Sequence, residues 1–153
     1  MMAGEGRAPT AAKEIVNTRE LAVTRDRAWR AFSDPAQLAR WWGPRGFTNT
    51  FQEFDLRAGG RWRFTMHGPD GARYDQTREF LEIVPQQRIV LANNDPVHRF
   101  VMTIVLEPIT AGTRLTWSML FDNAAEFDRV KHLIAGANEE NFDRLEEHLR
   151  KTA

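Results

Sequence analysis

Residues 124–150, AAEFDRVKHLIAGANEENFDRLEEHLR, are the stretch around which the rest of the chain is arranged. One set of positions recurs at steps of three and four residues, which places its members on one face of a helix. This set comprises Phe127, Val130, Ile134, Ala137, Asn141, Leu145 and Leu149, and Leu133 and Phe142 widen it. Asp122 or Asn123 can cap the start of the helix through a short polar side chain. The pattern predicts a long closing helix with one buried face.

The opposite side of this helix carries charged residues that suit water: Glu126, Arg129, Glu139, Glu140, Arg144, Glu147 and Arg150. The middle of the helix has little side-chain bulk, because Gly136 lies between Ala135 and Ala137. A glycine inside a helix costs about 1 kcal/mol relative to alanine. Two interpretations are open. Either the backbone packs closely against the sheet there, or the small residues leave a void between helix and sheet.

Composition narrows the class of protein. The chain has 153 residues, enough for one domain with a substantial core. Its 21 Lys and Arg balance 21 Asp and Glu, which argues against a nucleic-acid-binding surface. The absence of cysteine excludes disulfides and thiolate chemistry. No apolar run approaches the roughly 20 residues of a membrane span.

The polar stretch 1–12 does not resemble a secretory signal, so we expect a flexible tail there and a cytoplasmic protein.

The first part of the chain alternates between strand and helix signals. Residues 14–24 alternate in the manner of a strand and contain no Gly or Pro. Residues 26–33 have one apolar side and are followed by Asp34-Pro35, so a short helix is predicted to end there. A second short helix is predicted over 35–42, because Pro35 suits the first turn of a helix. Gly43-Pro44 ends it.

The remainder of the chain is predicted to form strands separated by turns rich in Gly, Pro and Asn. The predicted strands cover 49–56, 61–66, 73–84, 88–92, 100–106 and 115–121. Successive strands joined by short turns pair antiparallel. The order predicts an α+β fold in which a curved antiparallel sheet of about six or seven strands wraps around the closing helix.

Several segments in this order resemble a known family. They are DRAWRAFSDP (26–35), LARWWGP (38–44), DLRAGGRW (55–62), MHGPDG (66–71), FLEIVP (80–85), GTRLT (112–116) and the closing helix. Together they are similar to the START/Bet v1-like superfamily, in the branch of the Hsp90 ATPase activator homologues. The resemblance runs from about residue 14 to 149. It implies a single helix-grip domain over 13–151, with a cavity between sheet and helix.

Two positions depart from the pattern of that family. Arg78 stands where family members often have Gly, and a charged side chain there either reshapes the mouth of the cavity or points to solvent. Asn141 stands where the closing helix often has Leu, which makes that end of the helix more polar. Both departures bear on the shape of the expected cavity.

The alternating apolar residues of the strands are the main candidates for binding. The set that could line one concave face comprises Trp62, Phe64, Met66, Phe100, Met102, Trp117, Met119 and Phe121. Such a stripe ordinarily packs the core. Opposite a helix with small residues it can instead leave space, and aromatic rings with adaptable Met suit a flat or greasy ligand. Both interpretations stay open.

Five further residues complete the candidate site. Adjacent residues on a helix point about 100° apart. One of Trp41 and Trp42 is therefore expected in the core, and the other, with Phe47 just beyond it, to shape the cavity entrance. The alternative is that both tryptophans only brace the helix on the sheet. His132 and Gly136 lie near the narrow middle of the closing helix and are expected to face the cavity.

Three functions are compatible with this sequence. The first is binding of a hydrophobic or aromatic small molecule. The second is an enzyme, cyclase- or hydrolase-like, that uses the same cavity with His132 as its titratable group. The third, implied by the resemblance alone, is a chaperone-interacting protein with an Hsp90-type partner. No catalytic, phosphate-binding, dinucleotide-binding or zinc-binding motif is present, so no catalytic residue, metal ligand or cofactor is assigned.

Overall fold

A computed structural model describes residues 13–152. The elements in chain order are β1 (Glu14–Leu21), α1 (Arg25–Ser33), α2 (Pro35–Trp41), β2 (Thr48–Phe54), β3 (Arg61–His67), β4 (Arg73–Val84), β5 (Arg88–Asn93), β6 (Phe100–Ile109), β7 (Gly112–Phe121) and α3 (Ala124–Lys151). The tail predicted over 1–12 lies outside the described residues. The order of one strand, two short helices, six strands and a long helix is the predicted one.

The seven strands form one antiparallel sheet in the order β1-β7-β6-β5-β4-β3-β2. Strands β2 to β6 each pair with the next strand in sequence because the turns between them are short. The first strand returns to pair with the last, and Glu14 lies opposite Leu120. Irregular registers interrupt the β2–β3 and β4–β5 ladders, and such bulges bend a sheet. The predicted α+β class and the curved sheet are confirmed.

The two short helices share one residue at their junction. The Thr24 side chain caps α1 by accepting a hydrogen bond from the Arg27 N–H. Asp34 ends α1 and begins α2, where its carboxylate accepts a hydrogen bond of 3.0 Å from the Ala36 N–H. Pro35 occupies the first turn, where its missing N–H costs no hydrogen bond. These local signals place both helices where the sequence predicted them.

Helix α3 lies beside β1 and β7 and also contacts α1 and α2. Asn123, rather than Asp122, caps it, because the Asn123 Oδ1 accepts a hydrogen bond of 2.9 Å from the Glu126 N–H. The inner face is as predicted at Phe127, Leu145 and Leu149, which are all buried. The face of α3 toward the sheet is therefore set by the predicted helical spacing.

Three residues of α3 depart from their predicted environments. Leu133 does not widen the buried face, because it is 75% exposed. Glu126 was expected in water but is buried, with its carboxylate 2.7 Å from the His98 Nδ1 and 2.6 Å from the Arg129 Nη2. Arg144 is half-buried, and it donates hydrogen bonds to main-chain carbonyls at the end of α2. Charge on a helix thus did not mark the solvated side reliably.

Candidate functional site

A cluster of aromatic rings covers the concave side of the sheet. Trp62 and Phe64 on β3 stack with their centroids 4.2 Å apart. Trp42 lies between Trp62 and Trp117, at 4.9 Å and 5.1 Å. Trp117 in turn contacts Phe142 of α3 at 5.3 Å. We call these five residues the aromatic cluster, and together they join β3, the end of α2, β7 and α3.

Both tryptophans at the end of α2 are buried, which corrects the expectation that one of them shapes an entrance. The helix ends at Trp41, and Trp42 has an extended backbone with ψ 136°, so the 100° step between helical neighbours does not apply to this pair. Trp41 packs on Phe32 and donates its indole N–H to the Ala31 carbonyl at 3.0 Å. The alternative interpretation, that both residues brace the helix on the sheet, describes what is found.

Under α1 and α2 the space is filled with side chains. A cavity of about 10 Å³ remains there, between residues that include Phe32, Trp42, Trp62 and Phe80. That volume corresponds to at most about one water molecule. At this end of the molecule the apolar stripe is core, as one of the two interpretations expected. No space of ligand size therefore lies between α3 and the sheet at this end of the described molecule.

The middle of α3 packs less closely against the sheet than the parts of the helix on either side of it. Ile134 is seven residues after Phe127 and eleven before Leu145, so the three side chains point in the same direction. Phe127 and Leu145 are buried, whereas Ile134 is only partly buried. Val130, one turn earlier on the same side, is also only partly buried. An inward-pointing side chain that stays partly exposed indicates an opening between helix and sheet.

Contacts between side chains bound this middle part of α3 at both ends. At one end Gly43 lies close to both Met66 and Asn141. A Cβ atom added to Gly43 would be only 2.7 Å from the Met66 Cε, and the Gly43 N–H donates a hydrogen bond of 3.2 Å to the Asn141 Oδ1. At the other end the rings of Phe100, Phe121 and Phe127 follow one another at 5.5 Å and 6.0 Å. We call the space between these ends, along Val130 and Ile134, the inner groove.

Arg78 is a charged residue on the concave side of the sheet. It is the cross-strand partner of Trp62, so the two side chains share the concave face. Its guanidinium carbon lies 5.5 Å from the centre of the Phe64 ring and 5.4 Å from that of Phe100. Only 8% of the residue is exposed. Of the two alternatives left open by the sequence, Arg78 therefore points inward and not to solvent.

The environment of Arg78 is poor in hydrogen-bond acceptors. Within the described part of the chain, its Nε is buried and has no hydrogen-bond partner, and its Nη1 makes a long contact of 3.4 Å with the Thr77 carbonyl. Burial lowers the pKa of Arg78 to about 10, against a smaller opposing effect of the negative charge of Asp95. Because this pKa remains well above 7, the group is a cation at neutral pH. Alternation along β4 was the signal that could have found it, since Arg78 is two residues before buried Phe80.

The other predicted site residues fall into two groups. Those buried on the concave side are Trp41, Trp42, Trp62, Phe64, Phe100, Met102, Trp117, Met119 and Phe121, while Phe47 and Met66 are half-buried. His132 and Gly136 are exposed, in contrast to the expectation that they face the cavity. A Cβ added to Gly136 would meet no atom within 4 Å, so neither close packing nor a void against the sheet explains this glycine. Both residues are on the side of α3 opposite Ile134.

The exposed position of His132 removes the titratable group on which the enzyme hypothesis depended. Arg78 enters the groove but cannot replace it, because a guanidinium does not exchange protons near neutral pH. Within residues 13–152 there is no group of three or more His, Cys, Asp or Glu residues that could hold a metal ion. Among the described residues, neither His132 nor Arg78 therefore provides an acid or base near neutral pH on the concave side.

The curved antiparallel sheet holding a long closing helix, with aromatic rings and a groove between them, defines a helix-grip protein. The chain belongs to the family described as Activator of Hsp90 ATPase homolog 1-like protein, which matches residues 22–150. No curated protein shows significant similarity to the chain. None of the helices within the described residues is long and apolar enough to cross a membrane.

Solved structures share this fold over nearly the whole chain. A protein from Nitrosomonas europaea is 24% identical, with a TM-score of 0.85 over 95% of this chain and 100% of its own. One from Rhodobacter sphaeroides is 25% identical, with a TM-score of 0.85 over 95% and 97%. A solution structure from Arthrobacter aurescens is 22% identical, with a TM-score of 0.86 over 98% and 93%. These similarities establish the fold.

Proposed function

We propose that this protein binds a hydrophobic small molecule in the inner groove between α3 and the sheet. The observation that carries the proposal is the partial exposure of Ile134 at the centre of the inner face of α3. Apolar walls with a few polar groups are typical of ligand pockets. Met66, Met102 and Met119 add side chains that adapt to the shape of a ligand.

The tight core under α1 and α2 supports a particular arrangement of this site. The aromatic cluster is already packed ring on ring, so it forms a rigid wall that needs no rearrangement to receive a ligand. The opposite wall, at Val130 and Ile134, is the more open one. The ligand is therefore expected to lie along the middle of α3 rather than under the short helices.

The neutral fluorophore N-phenyl-1-naphthylamine tests this site, because its emission rises in an apolar environment. Ile134→Trp fills the groove, whereas Leu133→Trp adds the same ring to the neighbouring, solvent-exposed position. We expect saturable binding to the wild type and to Leu133→Trp, and affinity weakened by about tenfold or more in Ile134→Trp. Circular dichroism confirms that each variant is folded. Absence of saturable binding to the wild type, or equal binding by both folded variants, contradicts the proposal.

The family match supports a second proposal, that the chain binds an Hsp90-type chaperone. The support is the description of the family, which names activation of the Hsp90 ATPase. Titration of the protein into the Hsp90 of its own cell, with ATP hydrolysis as the readout, tests it. Binding with a raised ATPase rate is the expected result, and no binding at concentrations well above those in the cell contradicts it.

A further inference from the structure

Arg78 is buried on the concave side of the sheet without an acceptor for its Nε within the described residues. Removing a cation from water is costly, and proteins ordinarily offset that cost with a hydrogen-bonded anion. No carboxylate among the described residues forms a salt bridge with Arg78. Asp95 acts on it only through its charge and is itself exposed. The described residues thus hold a positive charge among aromatic rings without a carboxylate that pairs with it.

Two aromatic rings flank the guanidinium of Arg78. The rings of Phe64 and Phe100, at 5.5 Å and 5.4 Å, provide the favourable contact between a cation and an aromatic face. The two rings partly stabilise the positive charge of the guanidinium, but they accept no conventional hydrogen bond from its N–H groups. A guanidinium presents its N–H groups as a planar fork that matches the two oxygens of a carboxylate.

A second donor on the same face is also unpaired. Trp62 is the cross-strand neighbour of Arg78, and its indole Nε1 is buried with no hydrogen-bond partner within the described part of the chain. Buried polar groups in proteins are nearly always hydrogen-bonded. Arg78 and its neighbour Trp62 thus each carry a buried donor without a partner within the described residues.

We propose that Arg78 is the anion-binding residue of the inner groove and that the ligand is a hydrophobic monocarboxylic acid. Its carboxylate pairs with the Arg78 guanidinium, and its apolar body lies along Val130 and Ile134. One buried positive charge matches one carboxylate better than it matches a doubly charged phosphate. This inference rests on the proposed function, because it assigns the chemical class of the ligand that the groove takes.

Dodecanoate and dodecan-1-ol test the inference, because they share an alkyl chain and differ in charge. Binding of each at neutral pH is followed by isothermal titration and by the tryptophan fluorescence to which Trp62 contributes. We expect the wild type to bind dodecanoate about tenfold or more tightly than dodecan-1-ol. Arg78→Met keeps the length of the side chain and loses this preference, with its affinity for the alcohol retained. Arg78→Lys keeps the charge without the fork and retains part of the preference.

Arg63→Met is the matched control, because Arg63 is on the outward face of neighbouring β3 with half of its side chain exposed. It should retain the full preference for the acid. Equal affinity of the wild type for both compounds overturns the carboxylate assignment and leaves the hydrophobic site standing. Retention of the preference in Arg78→Met also overturns it. If neither compound binds the wild type, the proposed function fails as well, so the two failures are distinguishable.

Discussion

Arg78 shows how a single side chain can be unfavourable for folding and useful for binding. The residue is 8% exposed and has a buried Nε without a partner within the described residues. Polar groups left without partners in an interior lower stability, and they occur mostly where a function requires them. The two aromatic rings that flank the guanidinium reduce this cost without removing it.

We therefore expect Arg78→Met to be more stable than the wild type in the absence of ligand. The change removes a buried unpaired charge and keeps apolar bulk, and similar replacements have stabilised proteins by about 1 kcal/mol or more. Urea unfolding at neutral pH measures the difference, with Arg63→Met as the control that should stay near the wild type. A destabilised Arg78→Met would indicate that the fold itself supplies partners for this cation.

At the scale of single elements, the two ends of α3 are held by polar contacts. Asn123 caps the first turn. Near the other end, the Asn141 side chain donates a hydrogen bond of 2.8 Å to the Trp41 carbonyl and accepts one from the Gly43 N–H. Arg144 donates to the carbonyls of Trp42 and Gly43 at 3.0 Å and 2.9 Å. These contacts satisfy the free main-chain groups at the end of α2 and fix α3 above the sheet.

The cap of α3 can be tested with two adjacent residues. Asn123→Ala removes the side chain that accepts from the Glu126 N–H and is expected to cost about 1 kcal/mol of stability. Asp122→Ala changes a neighbouring polar side chain that does not cap the helix, so its effect should be clearly smaller. Chemical unfolding of both variants gives the comparison. A larger loss in Asp122→Ala would show that the cap is wrongly assigned.

His148 joins α3 to α2, and its Nε2 lies 3.0 Å from the Gln37 Oε1. Burial, followed by the positive charges of Arg40, Lys151 and Arg27, lowers the pKa of His148 below its ordinary value of 6.5. The unfolded chain therefore binds a proton at this site more readily than the folded one, and stability falls as the pH drops below about 6.5.

We expect His148→Gln to lose less stability than the wild type between pH 7 and about pH 5. Thermal unfolding across this range measures the two slopes. Exposed His132→Gln removes an imidazole from the same helix without touching the contact with Gln37, and it serves as the control. Parallel slopes for His148→Gln and the wild type would contradict the argument.

The elements themselves were predictable because their signals are local. Periodicity, the caps and the proline breaks gave the order of strands and helices, and alternation gave the buried rings of β3, β6 and β7. The directions of Leu133, His132 and Gly136 were predicted wrongly, because the low side-chain bulk in the middle of the helix does not show which side faces the sheet. The burial of Trp42 depends on α2 ending one residue earlier than expected.

At the scale of the whole molecule, the inner groove results from the way α3 lies on the sheet. The helix lies beside β1 and β7, which are neighbours at one side of the sheet, whereas Phe64 and Arg78 are on β3 and β4 toward the other side. The ends of α3 are closed by contacts from Phe127 and from Asn141, and the middle is left partly open. A sequence pattern cannot predict this, because the opening depends on where a rigid helix meets a curved sheet.

Amide chemical shifts of ¹⁵N-labelled protein during a titration with dodecanoate test the central claim most directly, because they report where the ligand lies. The predicted result is saturable shifts that concentrate at Arg78 and along Val130 and Ile134, with little change at exposed Leu133. Shifts confined to the surface cleft between Leu21 and Leu149, whose volume is about 340 Å³, or no shifts at all, would contradict the account.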